Sequence, residues 1–177
     1  WIERRALIRA LLDDGKARLA YRVAVDAAPD KETYRVDRAF MAGWIALRFL
    51  REPQTATQNF AQIAAITKGP TALARANYWL GRAAEANRNQ PSAQQHYALA
   101  ARHSTTYYGQ LACARLGCRT TKLRTPPTLT QAQRAALGSR EQVRAVEILY
   151  ATGNRKLVVP FVAGLAQAND GNLLAVV

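Results

Sequence analysis

Apolar positions along this chain fall into helix-length blocks, recurring every three or four residues and separated by short polar stretches rich in Gly, Pro and Asn. The first block predicts a helix over Trp1–Asp13, with Ile2, Leu7, Ile8, Leu11 and Leu12 on one side and Gly15 closing it. Lys16–Ala27 reads as its partner, ended by Pro29, and Asp30–Thr33 links it onward. Tyr34–Leu50 is the most apolar helix, in which Phe40, Trp44, Leu47 and Phe49 are expected to supply buried area, and Arg51-Glu52-Pro53 ends it. Gln54–Thr67 returns along it. Lys68-Gly69-Pro70 is the next break, with Thr71 as the expected N-cap. A hairpin follows within Ala74–Gly117, broken by Asn87, Asn89 and Pro91, and Ser104–Thr106 caps a helix that ends at Gly117. Cys118–Thr128 has two adjacent prolines and no period, which makes 118–129 the candidate boundary between helical layers. Thr130 starts a short helix, and Ser139 is expected to cap another through Thr152 that carries Val143, Val146, Ile148, Leu149 and Tyr150 and ends at Gly153. Arg155–Asn169 is the last whole helix, started or kinked at Pro160, and Asp170 looks like a further helix start.

Within the central hairpin, Leu80, Gly81, Ala84, Ala93, Tyr97 and Ala100 stand at the offsets used by a tetratricopeptide-type repeat. The reason is steric: small residues let two helix backbones approach, and a ring one turn further on fills the space beside the contact. The second-helix triplet recurs as Ala17/Tyr21/Ala24, Ala56/Phe60/Ile63 and Ala93/Tyr97/Ala100, at intervals of 39 and 37 residues, and in weaker form as Leu157/Phe161/Gly164. Any amphipathic helix can show such spacing, but here the turn signals recur with the triplets. The expected fold is therefore all-α: stacked antiparallel helical hairpins forming a tetratricopeptide-like α-superhelix, or α-solenoid, over residues 1–177 as one domain.

Composition agrees. The 177 residues are rich in the strong helix formers Ala, Leu, Arg and Gln, and strand-type alternation is almost absent. The length is enough to bury a core without metals or disulfides. Both ends look cut, so the chain reads as a piece of a longer protein, with any targeting signal upstream of Trp1. No apolar run approaches the ~20 residues that a membrane span needs. The formal charge of +13 favours anionic partners. Nucleic acid, an acidic membrane surface and a carboxylate-bearing polymer all satisfy it, and so does plain solvation of arginine-decorated helices.

Catalytic chemistry finds little footing. Glycan cleavage needs a carboxylic acid in an apolar cleft, often with a second carboxylate opposite. Of twelve acidic residues, Glu85 near Trp79 comes nearest, and flanking Arg82 and Arg88 point to a surface ion pair. His96 and His103 lie on one helix face about two turns, ~10 Å, apart, too far to share a metal ion. No metal-ligand spacing or glycine-rich phosphate loop is present, so no cofactor is expected. Cys113 and Cys118 form a disulfide if the chain folds back where Gly117 ends the helix, and stay as two thiols otherwise. Tyr107 and Tyr108, expected beside Trp79, read either as core rings or as a stacking surface for sugars.

Three strings, GWIALRFL (Gly43–Leu50), ARANYWLGRAAEA (Ala74–Ala86) and TTYYGQLACARLG (Thr105–Gly117), in this order and spacing, closely resemble the helical region of the soluble lytic murein transglycosylases. The resemblance implies a superhelical ring of hairpins preceding a lysozyme-like catalytic domain that cleaves between N-acetylmuramic acid and N-acetylglucosamine, in the periplasm. It implies peptidoglycan glycan strands and the downstream catalytic domain as partners, with no specific nucleic acid. Arg48, Arg82, Tyr107 and Tyr108 are the expected glycan contacts, and Gly43, Trp44, Trp79, Gly81, Tyr97 and Gly109 the structural positions. The family's catalytic glutamate-serine and Gly-Leu-Met-Gln stretch have no match, so no catalytic residue carries over. An adaptor that binds protein tails in a concave groove is the alternative, favoured if Arg48, Arg75 and Arg82 cluster on one face. Nucleic-acid binding from charge alone is the weakest reading.

Overall fold

Proline sets the helix starts. Pro53 and Pro70 each begin a helix, where a missing backbone N–H costs nothing, and Pro91 stands one position inside another. The computed structural model describes residues 1–118 and 127–167, with Asn172 and Ala175. Among these residues every regular element is a helix. The chain divides into two units, Trp1–Leu123 and Arg124–Val177. The first holds α1 (Ile2–Asp13), α2 (Ala17–Val25), α3 (Glu32–Arg48), α4 (Pro53–Ile66), α5 (Pro70–Ala86), α6 (Gln90–Ala101) and α7 (Tyr107–Arg115). The second holds α8 (Gln131–Gly138), α9 (Glu141–Ala151) and α10 (Arg155–Gln167).

In the first unit each helix packs on the next through a short link, and α5 also touches α3 and α7. Local chemistry makes the links tight. After α1, Gly15 adopts φ +73° and the chain turns back so that Lys16 N donates to Leu11 O at 2.7 Å. Asn89 Oδ1 accepts from Ser92 N at 3.1 Å, and Thr106 Oγ1 accepts from Gly109 N at 3.1 Å, capping α6 and α7. Two glycine–ring locks set the helix pairs. A Cβ on Gly43 of α3 would lie 2.6 Å from the Phe60 ring of α4, and one on Gly81 of α5 would lie 2.6 Å from the Tyr97 ring of α6. Leu80, Gly81, Ala84, Ala93, Tyr97 and Ala100 are all buried, as are Ala56, Phe60 and Ile63. Burying Phe60 alone is worth about 2–3 kcal/mol.

Several expectations shift. In α1 only Ile8 and Leu11 are buried, while Ile2 and Leu7 face solvent, because α2 covers a narrow stripe of that helix. Phe49 lies past the end of α3 and is 43% exposed. Thr71 is not an N-cap: helix geometry begins at Pro70 with Gly69 before it. Ser139 closes α8, donating its hydroxyl to Ala136 O, and Arg140 precedes α9. Thr130 does open α8, with a capping box to Gln133. His103 falls beyond α6 in a turn rather than on one face with His96. In the second unit Val143, Val146 and Val158 are buried, whereas Ile148, Tyr150, Leu157 and Phe161 are exposed and a Cβ on Gly164 would meet nothing within 4 Å. The fourth triplet therefore forms no lock among the described residues. Pro160 sits inside α10. Residues 119–126 of the expected irregular loop, and the expected helix start at Asp170, lie outside the described residues.

Candidate functional site

Helix α5 presents Arg75, Tyr78, Trp79 and Arg82 at i, i+3, i+4 and i+7, a spacing that aligns them along one face. Because α5 packs against α3, α4, α6 and α7, this face meets rings from all four. The Arg75 guanidinium lies 4.0 Å from the Phe40 ring centroid, and Phe40 in turn meets Trp79 edge-on at 6.1 Å. Tyr78 contacts Trp79 at 6.0 Å and Tyr108 at 5.4 Å, and Tyr108 contacts Tyr107 at 5.1 Å. Tyr107, at 69% exposed, ends this run of rings in solvent.

The charges on this face do not balance. Asp37 is shared by Arg5, at 3.2 Å, and by the Trp1 indole N–H, at 2.8 Å. Glu85 is shared by Arg82, at 3.2 Å, and by Arg115 of α7, at 3.0 Å. Among the described residues Arg75 pairs with no carboxylate, and its Nε is buried without a hydrogen-bond partner. Burial pulls the Arg75 pKa down, opposed by the charges of Asp37 and Tyr108. The Trp79 indole N–H is likewise buried and unpartnered. Burial pushes the Tyr97 phenol far up, and the negative charge of Glu85 adds to it; its hydroxyl faces Glu85 without reaching hydrogen-bond geometry. The result is a partly desolvated, cation-rich strip interleaved with aromatic rings.

Of the expected contacts, Arg82, Tyr107 and Tyr108 join this strip, with Tyr78 bridging Tyr108 to Trp79. Arg48 is exposed at the end of α3 and joins none of these ring or ion pairs. Gly43 and Gly81 serve the locks already described, Trp44 packs edge-on against Phe49 at 5.2 Å, and a side chain at Gly109 would collide with the His103 carbonyl. Cys113 and Cys118 are joined by a disulfide across the turn at Gly117, whose φ is +76°. Glu85 does sit in an ion pair with Arg82, but its second partner is Arg115 rather than Arg88, because Arg88 stands beyond the helix end with φ +59°. His96 Nδ1 lies 3.3 Å from Asn77 Oδ1, and burial lowers its pKa. No group of acidic, histidine or cysteine residues suited to a metal ion exists among the described residues, and none of their helices is long and apolar enough to cross a membrane.

Sequence reasoning missed the Arg75–Phe40 stack and the Glu85–Arg115 pair. Both join residues 30 or more positions apart, and nothing local marks them. The α5 spacing of Arg75, Tyr78, Trp79 and Arg82 was the one available signal. No protein-family model, curated protein or solved structure matches this chain.

Proposed function

We propose that this chain is the non-catalytic, tetratricopeptide-like superhelical scaffold of a periplasmic peptidoglycan lytic transglycosylase, holding glycan strands for a downstream catalytic domain during murein turnover. Two things support the reading. The three strings resembling that family run through α3, α5 and α7, the helices that meet along the cation-rich strip. The observation that carries the glycan assignment is the strip itself, where Arg75 has no carboxylate partner among the described residues and the rings of Tyr108 and Tyr107 lead outward. A pyranose ring has an apolar face that stacks on an exposed tyrosine, and the carboxylates of peptidoglycan meet Arg75 and Arg82 without displacing an existing ion pair at Arg75. The scaffold binds and positions; the bond-breaking acid belongs elsewhere.

The test is co-sedimentation with purified sacculi. The chain should be retained at low salt and released as salt rises, with Tyr107→Ala and Arg75→Gln each weakening retention. Absence of retention at low salt, or retention indifferent to both substitutions, refutes the assignment.

A further inference from the structure

A second feature of the first unit lies at the end of α7. The helix closes in a turn where Cys118 N donates to Cys113 O at 3.0 Å and Gly117 N to Ala114 O at 3.2 Å, with Gly117 left-handed at φ +76°. This pair of bonds is the common glycine-closed helix end, in which the first and last residues of the turn usually touch through apolar side chains. Here those two residues are Cys113 and Cys118, and a disulfide takes the place of that contact. A helix end held by two backbone bonds opens at low cost, whereas the covalent link ties it shut. What it ties is Arg115, which lies inside the closed loop. Arg115 Nη1 donates to Glu85 Oε1 at 3.0 Å and to Oε2 at 3.3 Å, fastening the last turn of α7 to α5.

The link is open to attack. Cys118 is exposed and Cys113 half-buried, so a thiolate reaches the Cys118 sulfur without unfolding the helix. The sequence from Cys113 to Arg124 carries four basic residues and no acidic one, which draws an anionic thiolate toward it. We propose that Cys113–Cys118 is a redox-sensitive clasp, opened by a dithiol reductant, that sets how firmly Arg115 holds Glu85 and therefore how α7 is fastened to α5. One thiolate of the dithiol attacks the Cys118 sulfur, and the Cys113 sulfur leaves as a thiolate that takes up a proton. The second thiolate of the dithiol then attacks its own mixed disulfide and expels Cys118. The dithiol ends as a disulfide and the chain as two thiols, with two electrons and two protons transferred. The freed turn frays, and Arg115 loses its fixed position over Glu85. Arg82 keeps its own pairing with Glu85 at 3.2 Å, so the loosening is confined to the α7 side. The clasp belongs to the chain whatever the strip binds.

The test is amide hydrogen exchange on the full chain before and after treatment with dithiothreitol. Reduction should speed exchange at Gly117 and Cys118 about ten- to thirtyfold and leave the buried stretch of α5 at Ala83 and Ala84 unchanged. The double variant Cys113→Ser with Cys118→Ser should match the reduced chain and ignore dithiothreitol. Arg115→Gln should lower the urea midpoint of the oxidised chain and leave that of the reduced chain where it was, a split that a purely structural bond would not give. The reduction rate should not change as urea is raised toward the unfolding midpoint. At low salt the anionic thiol mercaptoethanesulfonate should react faster per thiolate than the cationic thiol cysteamine, with the gap closing as salt rises. No glycan enters these measurements, so their failure is separate from failure of the glycan reading. Equal exchange in both redox states, reduction that proceeds only as the chain unfolds, or an equal effect of Arg115→Gln in both states would each overturn the clasp.

Discussion

Replacing Gly81 by Ala probes the lock between α5 and α6 directly. In an open helix position this change stabilises by about 1 kcal/mol through helix propensity. Here the new methyl would stand 2.6, 2.8 and 2.9 Å from three atoms of the Tyr97 ring. The ring cannot swing away, because Tyr78 lies against it at 5.6 Å and Ala93 and Ala100 are buried around it. The helices must separate instead, and overpacking of this kind costs about 1–3 kcal/mol. With the upper half of that range set against the propensity gain, the net loss is about 1–2 kcal/mol. All three tryptophans, Trp1, Trp44 and Trp79, belong to the first unit, so tryptophan fluorescence reports its unfolding alone. At a urea m-value of about 2 kcal/mol/M, the midpoint should fall by roughly 0.5–1 M with m unchanged. In a Tyr97→Leu background the shorter side chain leaves room for the methyl, and Gly81→Ala should become neutral or stabilising. A rise in midpoint for Gly81→Ala alone, or the same cost in both backgrounds, would refute the lock.

Three further outcomes follow from single sites. Arg88→Gly, at φ +59° past the end of α5, should stabilise the first unit by about 0.5–1 kcal/mol, because a left-handed residue with a side chain costs more than the added freedom of glycine in the unfolded chain; urea midpoints check it. Because burial depresses the His96 pKa, the unfolded chain takes up a proton first as pH falls below about 6.5. Stability should therefore hold at pH 7–8 and decline below that value until the folded form also protonates, and His96→Gln should reduce this decline when thermal midpoints are compared between pH 7.5 and 5. Reducing the Cys113–Cys118 disulfide, which closes a very short loop, should lower the first unit's stability by no more than about 2 kcal/mol, as read by urea unfolding with and without reductant.

The parts of this fold that were legible in the sequence are those decided by local sterics. A glycine opposite a ring one turn from an alanine predicted the α5–α6 contact residue by residue, because close backbone approach admits few side chains. Gly117 marked the turn across which Cys113 and Cys118 meet, for the same kind of reason. What failed was the extent of burial. Ile2, Leu7, Phe49 and Leu157 carry the right period yet are exposed, since periodicity says which face is apolar and not how much of it a neighbour covers. Caps misled where proline overrode them: Pro70 starts α5 with its fixed φ one residue before the expected Thr71. The site was half legible. Arg82, Tyr107 and Tyr108 were readable as charge beside rings, but the stacking of Arg75 on Phe40 and the engagement of Asp37 by Trp1 and Arg5 are set by how the helices pack and not by spacing along the chain.

The most direct measurement on the central proposal is calorimetric titration of the chain with soluble peptidoglycan strands, intact and with their carboxylates amidated. The account predicts binding of intact strands that weakens sharply on amidation and, separately, in the Arg75→Gln chain. Equal affinity for both kinds of strand, or no heat with either at low salt, would contradict it.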